Sequence, residues 1–146
     1  MAAIDRDDEV GKKAFALIRA RLAEYPDLTI VETDTEIEVK GDSNGFDVSI
    51  RDDLWQATIQ AESWHNHFED PNEAADCFMW LLTPNYRVRT RYRRNSISSV
   101  DVQRRESSGE WIGISSFAPL IQWPFGSVRE EFKSNSLILR EPPAAS

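Results

Sequence analysis

The chain has 146 residues, 40% hydrophobic and 29% charged, with a net charge of −8 and a pI near 4.8. That is one domain's length, enough to bury a core without metals or disulfides, and too apolar for disorder. Cys77 stands alone and excludes a disulfide within the chain, MAAIDRDDEV lacks the basic-then-apolar order of a secretory signal, and the longest apolar run, CFMWLL, falls far short of a membrane span.

Residues 7–24, DDEVGKKAFALIRARLAE, predict an amphipathic helix. Val10, Ala14, Phe15, Leu17, Ile18 and Leu22 share one broad face, Asp7 or Asp8 caps the start, and Pro26 ends it. Alternation follows. LTIVETD (28–34) and TEIEVKG (35–41) lead to GDSNG, whose Asn44-Gly45 is the sharpest hairpin signal in the chain. FDVSIRD (46–52) turns Phe46, Val48 and Ile50 inward, and LWQATIQAE (54–62) does the same with Trp55, Ala57, Ile59 and Ala61.

ESWHNHFEDPNEA (62–74) then hands an extended segment to a second helix. Asp70 suits the N-cap, Pro71 the first helical position and Glu73 a capping box. Ala74, Cys77, Phe78 and Leu81 repeat at helical spacing until Thr83-Pro84. Three further strands are predicted at 86–94, 97–106 and 111–117, with SVREEF as a turn of helix, SNSLIL as a last strand, and 141–146 as a mobile tail. The expected fold is a single α+β domain, 1–140, with one mostly antiparallel sheet of about six or seven strands and two helices packed on one face.

Charge is unevenly spread. Residues 41–82 hold nine acids and one base, whereas residues 83–105 hold seven arginines and one acid. In YRVRTRYRR, Arg87, Arg89, Arg91 and Arg93 sit at spacing two and form one row of a strand, suited to phosphate or carboxylate. The favoured account of the row is instead cross-strand pairing with Glu32, Glu36, Glu38, Asp47 and Asp101. An overall charge of −8 opposes nucleic-acid binding.

His65 and His67, both histidines of the chain, lie two residues apart, so a strand points them to the same side. With Glu69 they are the only metal-ligand candidates; the following helix N-terminus offers an alternative place for a small anion. Trp64 and Phe68 read as core anchors beside them. Cys77 falls on the apolar helix face and reads as core. Trp111, Phe117, Trp123, Phe125 and Phe132 read first as a second core layer over the sheet; the alternative is a partner-binding groove with Trp123-Pro124-Phe125 as its exposed anchor. The chain carries no G-x-G-x-x-G, P-loop, G-x-S-x-G or zinc-ribbon motif. No cofactor is expected, and the balance is against an enzyme.

Trp64-His65-x-His67-Phe68, followed by the capped helix, an arginine-bearing strand and Gly109-x-Trp111, resembles a family of small bacterial proteins with no established activity. The resemblance spans roughly residues 46–115; it implies a shared fold and a bacterial origin, and transfers no catalytic residue. Two functional expectations result. One is a non-catalytic cytoplasmic module whose acidic segment, 41–76, engages a basic protein partner, comparable in size and charge with immunity proteins that block bacterial toxins. The other is an anion- or metal-binding domain built on Trp64, His65, His67 and the arginine row. The sequence leaves the oligomeric state open.

Overall fold

A computed structural model describes residues 10–53, 55–118 and 126–139. Along the chain run α1 (Val10–Leu22), β1 (Ile30–Glu32), β2 (Glu36–Val39), β3 (Val48–Asp53), β4 (Gln56–Ala61), β5 (Trp64–Phe68), α2 (Pro71–Trp80), β6 (Tyr86–Arg93), β7 (Ser96–Arg105), β8 (Trp111–Phe117) and β9 (Val128–Lys133). The fold is α+β, with two helices and antiparallel strands throughout. Among the described residues the strands number nine and form two sheets, where one sheet of six or seven was expected. β1 to β5 make a meander in chain order; the second sheet runs β8-β7-β6-β9. The physical reason is α2, which carries the chain away from β5, so that β6 starts a new sheet and β5 and β8 are left as edges.

α1 forms as its periodicity dictates, and α2 as its cap and periodicity dictate. In α1 the buried positions are Val10, Gly11, Ala14, Phe15, Ile18 and Leu22, the i, i+3/i+4 pattern of one apolar stripe. Its predicted caps, Asp7 and Asp8, lie outside the described residues. In α2 the Asp70 carboxylate accepts from the Asn72 N–H at 2.8 Å, and Pro71 occupies the first turn, where a missing N–H costs nothing. The Thr83 hydroxyl donates to the Trp80 carbonyl at 2.8 Å and helps close the far end.

The core gathers from every layer. Ile37, Val39, Val48, Ile50, Ala57, Ile59 and Ala61 line the inner face of the first sheet. Against them pack Ala14, Phe15 and Ile18 of α1 and Ala74, Ala75, Phe78 and Met79 of α2; Tyr86, Val88, Val100 and Val102 join from the second sheet. Each large side chain so buried stabilises by roughly 1.5–3 kcal/mol before conformational entropy is subtracted.

Three local expectations change. Trp55 is 54% exposed, because the strand starts at Gln56 and leaves the indole in the preceding turn. Residues 128–133 form a strand and not a helical turn: Val128, Glu130 and Phe132 alternate with Arg129, Glu131 and Lys133, a period of two that pairs with β6. Residues 134–139 are not a strand; the Leu137 and Ile138 N–H groups both donate to the Leu82 carbonyl, at 3.2 and 3.1 Å, instead of to a ladder. The expected tail, 141–146, lies outside the described residues.

Asn135, fully buried, fastens three segments. Its Oδ1 accepts from the Phe46 N–H at 3.1 Å, and its Nδ2 donates to the carbonyls of Phe46 and Leu81 at 2.9 and 3.1 Å. Removing the amide strands buried backbone groups at about 1–3 kcal/mol each. Asn135→Ala is therefore expected to lower the unfolding free energy in urea by about 2–4 kcal/mol. A loss under about 0.5 kcal/mol would show that water replaces the side chain at no cost.

Candidate functional site

Strand β5 presents two faces, and they meet different surroundings. Trp64, Asn66 and Phe68, at spacing two, border a cleft; the facing wall is a stripe of α2, Glu73, Asp76, Cys77 and Trp80, at helical spacing i, i+3, i+4 and i+7. Leu81 and Tyr86 close one end, and Val102, Ile114 and Ser115 form the remaining side. Ile114 reaches the cleft because the β7–β8 ladder shifts register between Val102 and Gln103, a bulge that re-aims it.

The cleft has a volume of about 260 Å³. That is below the roughly 300–1,000 Å³ of drug-sized sites, and suits one large apolar side chain. Trp64 is 2% exposed, and its Nε1 donates to Ser115 Oγ at 3.0 Å, which ties the edge of one sheet to the edge of the other. Trp80 and Tyr86 stack at 5.6 Å with 5° between ring planes, giving a rigid aromatic flank. The carboxylates sit among these apolar walls: Asp76 pairs with Arg21 at 2.9 Å, while Glu73 is exposed on the first turn of α2. Burial, and secondarily the Asp76 charge, push the Cys77 thiol up to about 12. It is a protonated wall of the cleft, not a nucleophile.

The odd-numbered face of β5 turns the other way. His65 and His67 stand on the outer surface of the first sheet with ring centroids 5.8 Å apart, opposite Gln60 and Thr58 on β4. His67 Nδ1 lies 2.8 Å from Thr58 Oγ1, and that hydroxyl donates to Asp53 Oδ2 at 3.1 Å. The His65 ring leans on Phe117 at 5.5 Å. Glu69 borders a shallow polar hollow with His67 and Asp70, which His65 does not line. Among the described residues no three His, Cys, Asp or Glu side chains converge to hold a metal.

The arginine row lies on the outer face of the second sheet, and its members are engaged. Arg89 pairs with Asp101, Arg91 with Glu130 at 3.3 Å, and Arg93 donates to the Gly126 carbonyl at 3.0 Å. Arg87 donates to Gln103 Oε1 at 2.7 Å while its guanidinium is held between Trp111 and Phe132, at 4.1 and 4.2 Å. Burial first, then the neighbouring Arg89 charge, lower the Arg87 pKa from its ordinary value. Of the acids expected to pair with this row, Asp101 does so. Glu32 goes to Arg19, and Glu38 and Asp47 go to Lys40, because those carboxylates belong to the first sheet.

Trp111 and Phe132 are thus aromatic covers of an arginine and not a second core layer; Phe132 is 45% exposed. Trp123 and Phe125 lie outside the described residues. The acidic segment is divided between two places: Asp47 and Glu62 join Glu36, Glu38, Ser49 and Gln60 around a polar hollow on the outer face of the first sheet, and Glu69, Asp70, Glu73 and Asp76 stand at the start of α2. Lys133, from β9, reaches Glu62 at 2.9 Å, and this bond, its largest influence, raises the ammonium pKa.

No family model, curated protein or solved structure matches the chain. The Trp64–Phe68 resemblance therefore lends no residue role to the site. Sequence reasoning placed Trp64 and Phe68 together but missed Glu73, Asp76, Trp80, Tyr86 and Ile114 as their partners. A signal existed in α2: carboxylates stand beside Cys77 and Trp80 on one helical stripe, where a purely structural helix would keep charge and aromatics apart.

Because Cys77 is held protonated, its modification by a thiol-specific disulfide reagent at pH 8 is expected to be at least about tenfold slower in the folded chain than in urea. Equal rates would contradict the burial of this wall. The sign of the linked pH effect follows: the raised pKa stabilises the fold below the unfolded thiol's value of 9.0, and that contribution fades as pH climbs from 9.0 toward about 12.

Proposed function

We propose that the protein is a non-catalytic binding module, and that its cleft between α2 and β5 receives a cationic, apolar-anchored segment of a partner protein. The observation that supports this is the pairing of an aromatic-walled cleft, sized for one large side chain, with the exposed Glu73 carboxylate at its border. An anchor buried in such a pocket supplies affinity, and charges around it set orientation and association rate. Beyond Glu73 the surface stays acidic through Glu69 and Asp70, so lysines or arginines flanking the anchor meet carboxylates on that side.

Charge also argues against the anion-binding alternative. The arginines that would hold a phosphate are committed to Asp101, Glu130, Gln103 and the Gly126 carbonyl. The likeness in size and charge to immunity proteins fits the same picture, since a basic toxin surface is one source of such a segment. The chain's single thiol and lack of apolar spans agree with a cytoplasmic setting, and among the described residues no helix is long and apolar enough to cross a membrane.

The test uses three short blocked peptides: a phenylalanine flanked by lysines and arginines, an acidic counterpart with glutamates in their place, and a basic one with alanine as the anchor. Only the first is expected to quench the tryptophan emission of the full chain and protect Cys77 from modification. Its affinity should fall with added salt and fall at least about tenfold in Glu73→Lys. Equal binding of basic and acidic peptides, or an unchanged affinity in Glu73→Lys, would refute the assignment.

A further inference from the structure

Independently of the cleft, we propose that His65 and His67 form a surface site for one borderline transition-metal ion, Cu²⁺, Ni²⁺ or Zn²⁺. Strand geometry puts both imidazoles on one side of β5, with ring centroids 5.8 Å apart. With metal–nitrogen bonds of about 2.0–2.1 Å, two imidazoles have ring centres about 5.2 Å apart at the tetrahedral angle of zinc and about 4.5 Å apart at the 90° angle of tetragonal copper. Small side-chain rotations close that gap, and β5 need not move.

The protonation of His67 is already arranged for ligation. A carboxylate only accepts, so the Thr58 hydroxyl proton is committed to Asp53, and Thr58 Oγ1 in turn accepts from His67 Nδ1–H. Nε2 is left as the ring nitrogen with a lone pair. A carboxylate–hydroxyl–imidazole chain of this kind fixes the orientation of a ligating histidine. Thr58 is buried at 7% exposure, so the anchor is rigid, and Phe117 backs the ring of His65.

Donor chemistry sets the class of ion. Imidazole nitrogens suit copper, nickel and zinc, whereas magnesium and calcium take oxygen donors. Since no third protein ligand converges among the described residues, water fills the remaining positions, and Cu²⁺ is expected to bind most tightly. The open positions leave room for a donor from a bound partner.

Titration of the full chain with Cu²⁺, followed by calorimetry and electron paramagnetic resonance, decides the matter. One equivalent should bind with nitrogen coupling from two imidazoles. His65→Ala and His67→Ala are each expected to weaken it at least about tenfold, and both side chains are exposed, so the fold is kept. Thr58→Val should weaken it about tenfold and Thr58→Ser restore it, which separates positioning from bulk stability; Asp53→Ala serves if the valine variant fails to fold. Binding in either histidine variant within twofold of the parent chain, coupling to fewer than two imidazoles, or no effect of removing Thr58 or Asp53 would overturn the proposal.

Discussion

The burial of Trp64 is the constraint on which the rest of the structure depends. Its indole sits in the common core at 2% exposure, and its N–H donates to Ser115 on an edge strand of the other sheet. Because successive residues of a strand point to opposite sides, fixing Trp64 inward also sets Asn66 and Phe68 on the cleft side and His65 and His67 on the opposite face. A slip of one residue would exchange the two sets. Losing a buried aromatic costs about 3–5 kcal/mol, several times the worth of any surface pair in this molecule. Hydrophobic burial, not the histidines, decides which way this strand faces.

The same economy shows in the charges. Each sheet largely satisfies its own: Arg89 with Asp101 and Arg91 with Glu130 in the second sheet, Lys40 with Glu38 and Asp47 in the first. Lys133–Glu62 joins one to the other, and Glu62 lies close in sequence to the Trp64 anchor. Exposed pairs of this kind contribute little stability, at most about 1 kcal/mol each. Their effect is on availability. They leave the arginines poor anion ligands, while Glu73, Glu69 and Asp70 keep an acidic border along the α2 end of the cleft.

Where one local rule decides, the structure agrees with the sequence. α1 carries its apolar stripe, α2 starts at Asp70-Pro71, and the alternation of Val48, Ile50, Ala57, Ile59 and Ala61 becomes one buried sheet face. Legibility ends where distant segments must be placed together. Glu38 and Lys40 stand two residues apart on one face of an extended segment, so their pairing is local, whereas nothing local to Glu130 says that it lies opposite Arg91. Trp111 and Phe132 look like core in isolation, and only β7–β8 and β6–β9 pairing brings them to either side of Arg87. The cleft is of this kind: two of its walls are periodic and readable, β5 and α2, but Tyr86 and Ile114 arrive through a second sheet and a bulge. The pair of edge strands that frames it, β5 and β8, exists because the strands divide into two sheets.

Nuclear Overhauser contacts in the full chain measure the facing of β5 most directly. The Trp64 indole N–H proton should lie near Ser115 of β8, and the imidazole protons of His65 and His67 near Phe117 and Thr58. Imidazole contacts to Trp80 or Tyr86 instead would mean that the histidines line the cleft, and the separation of binding cleft from histidine face would fall.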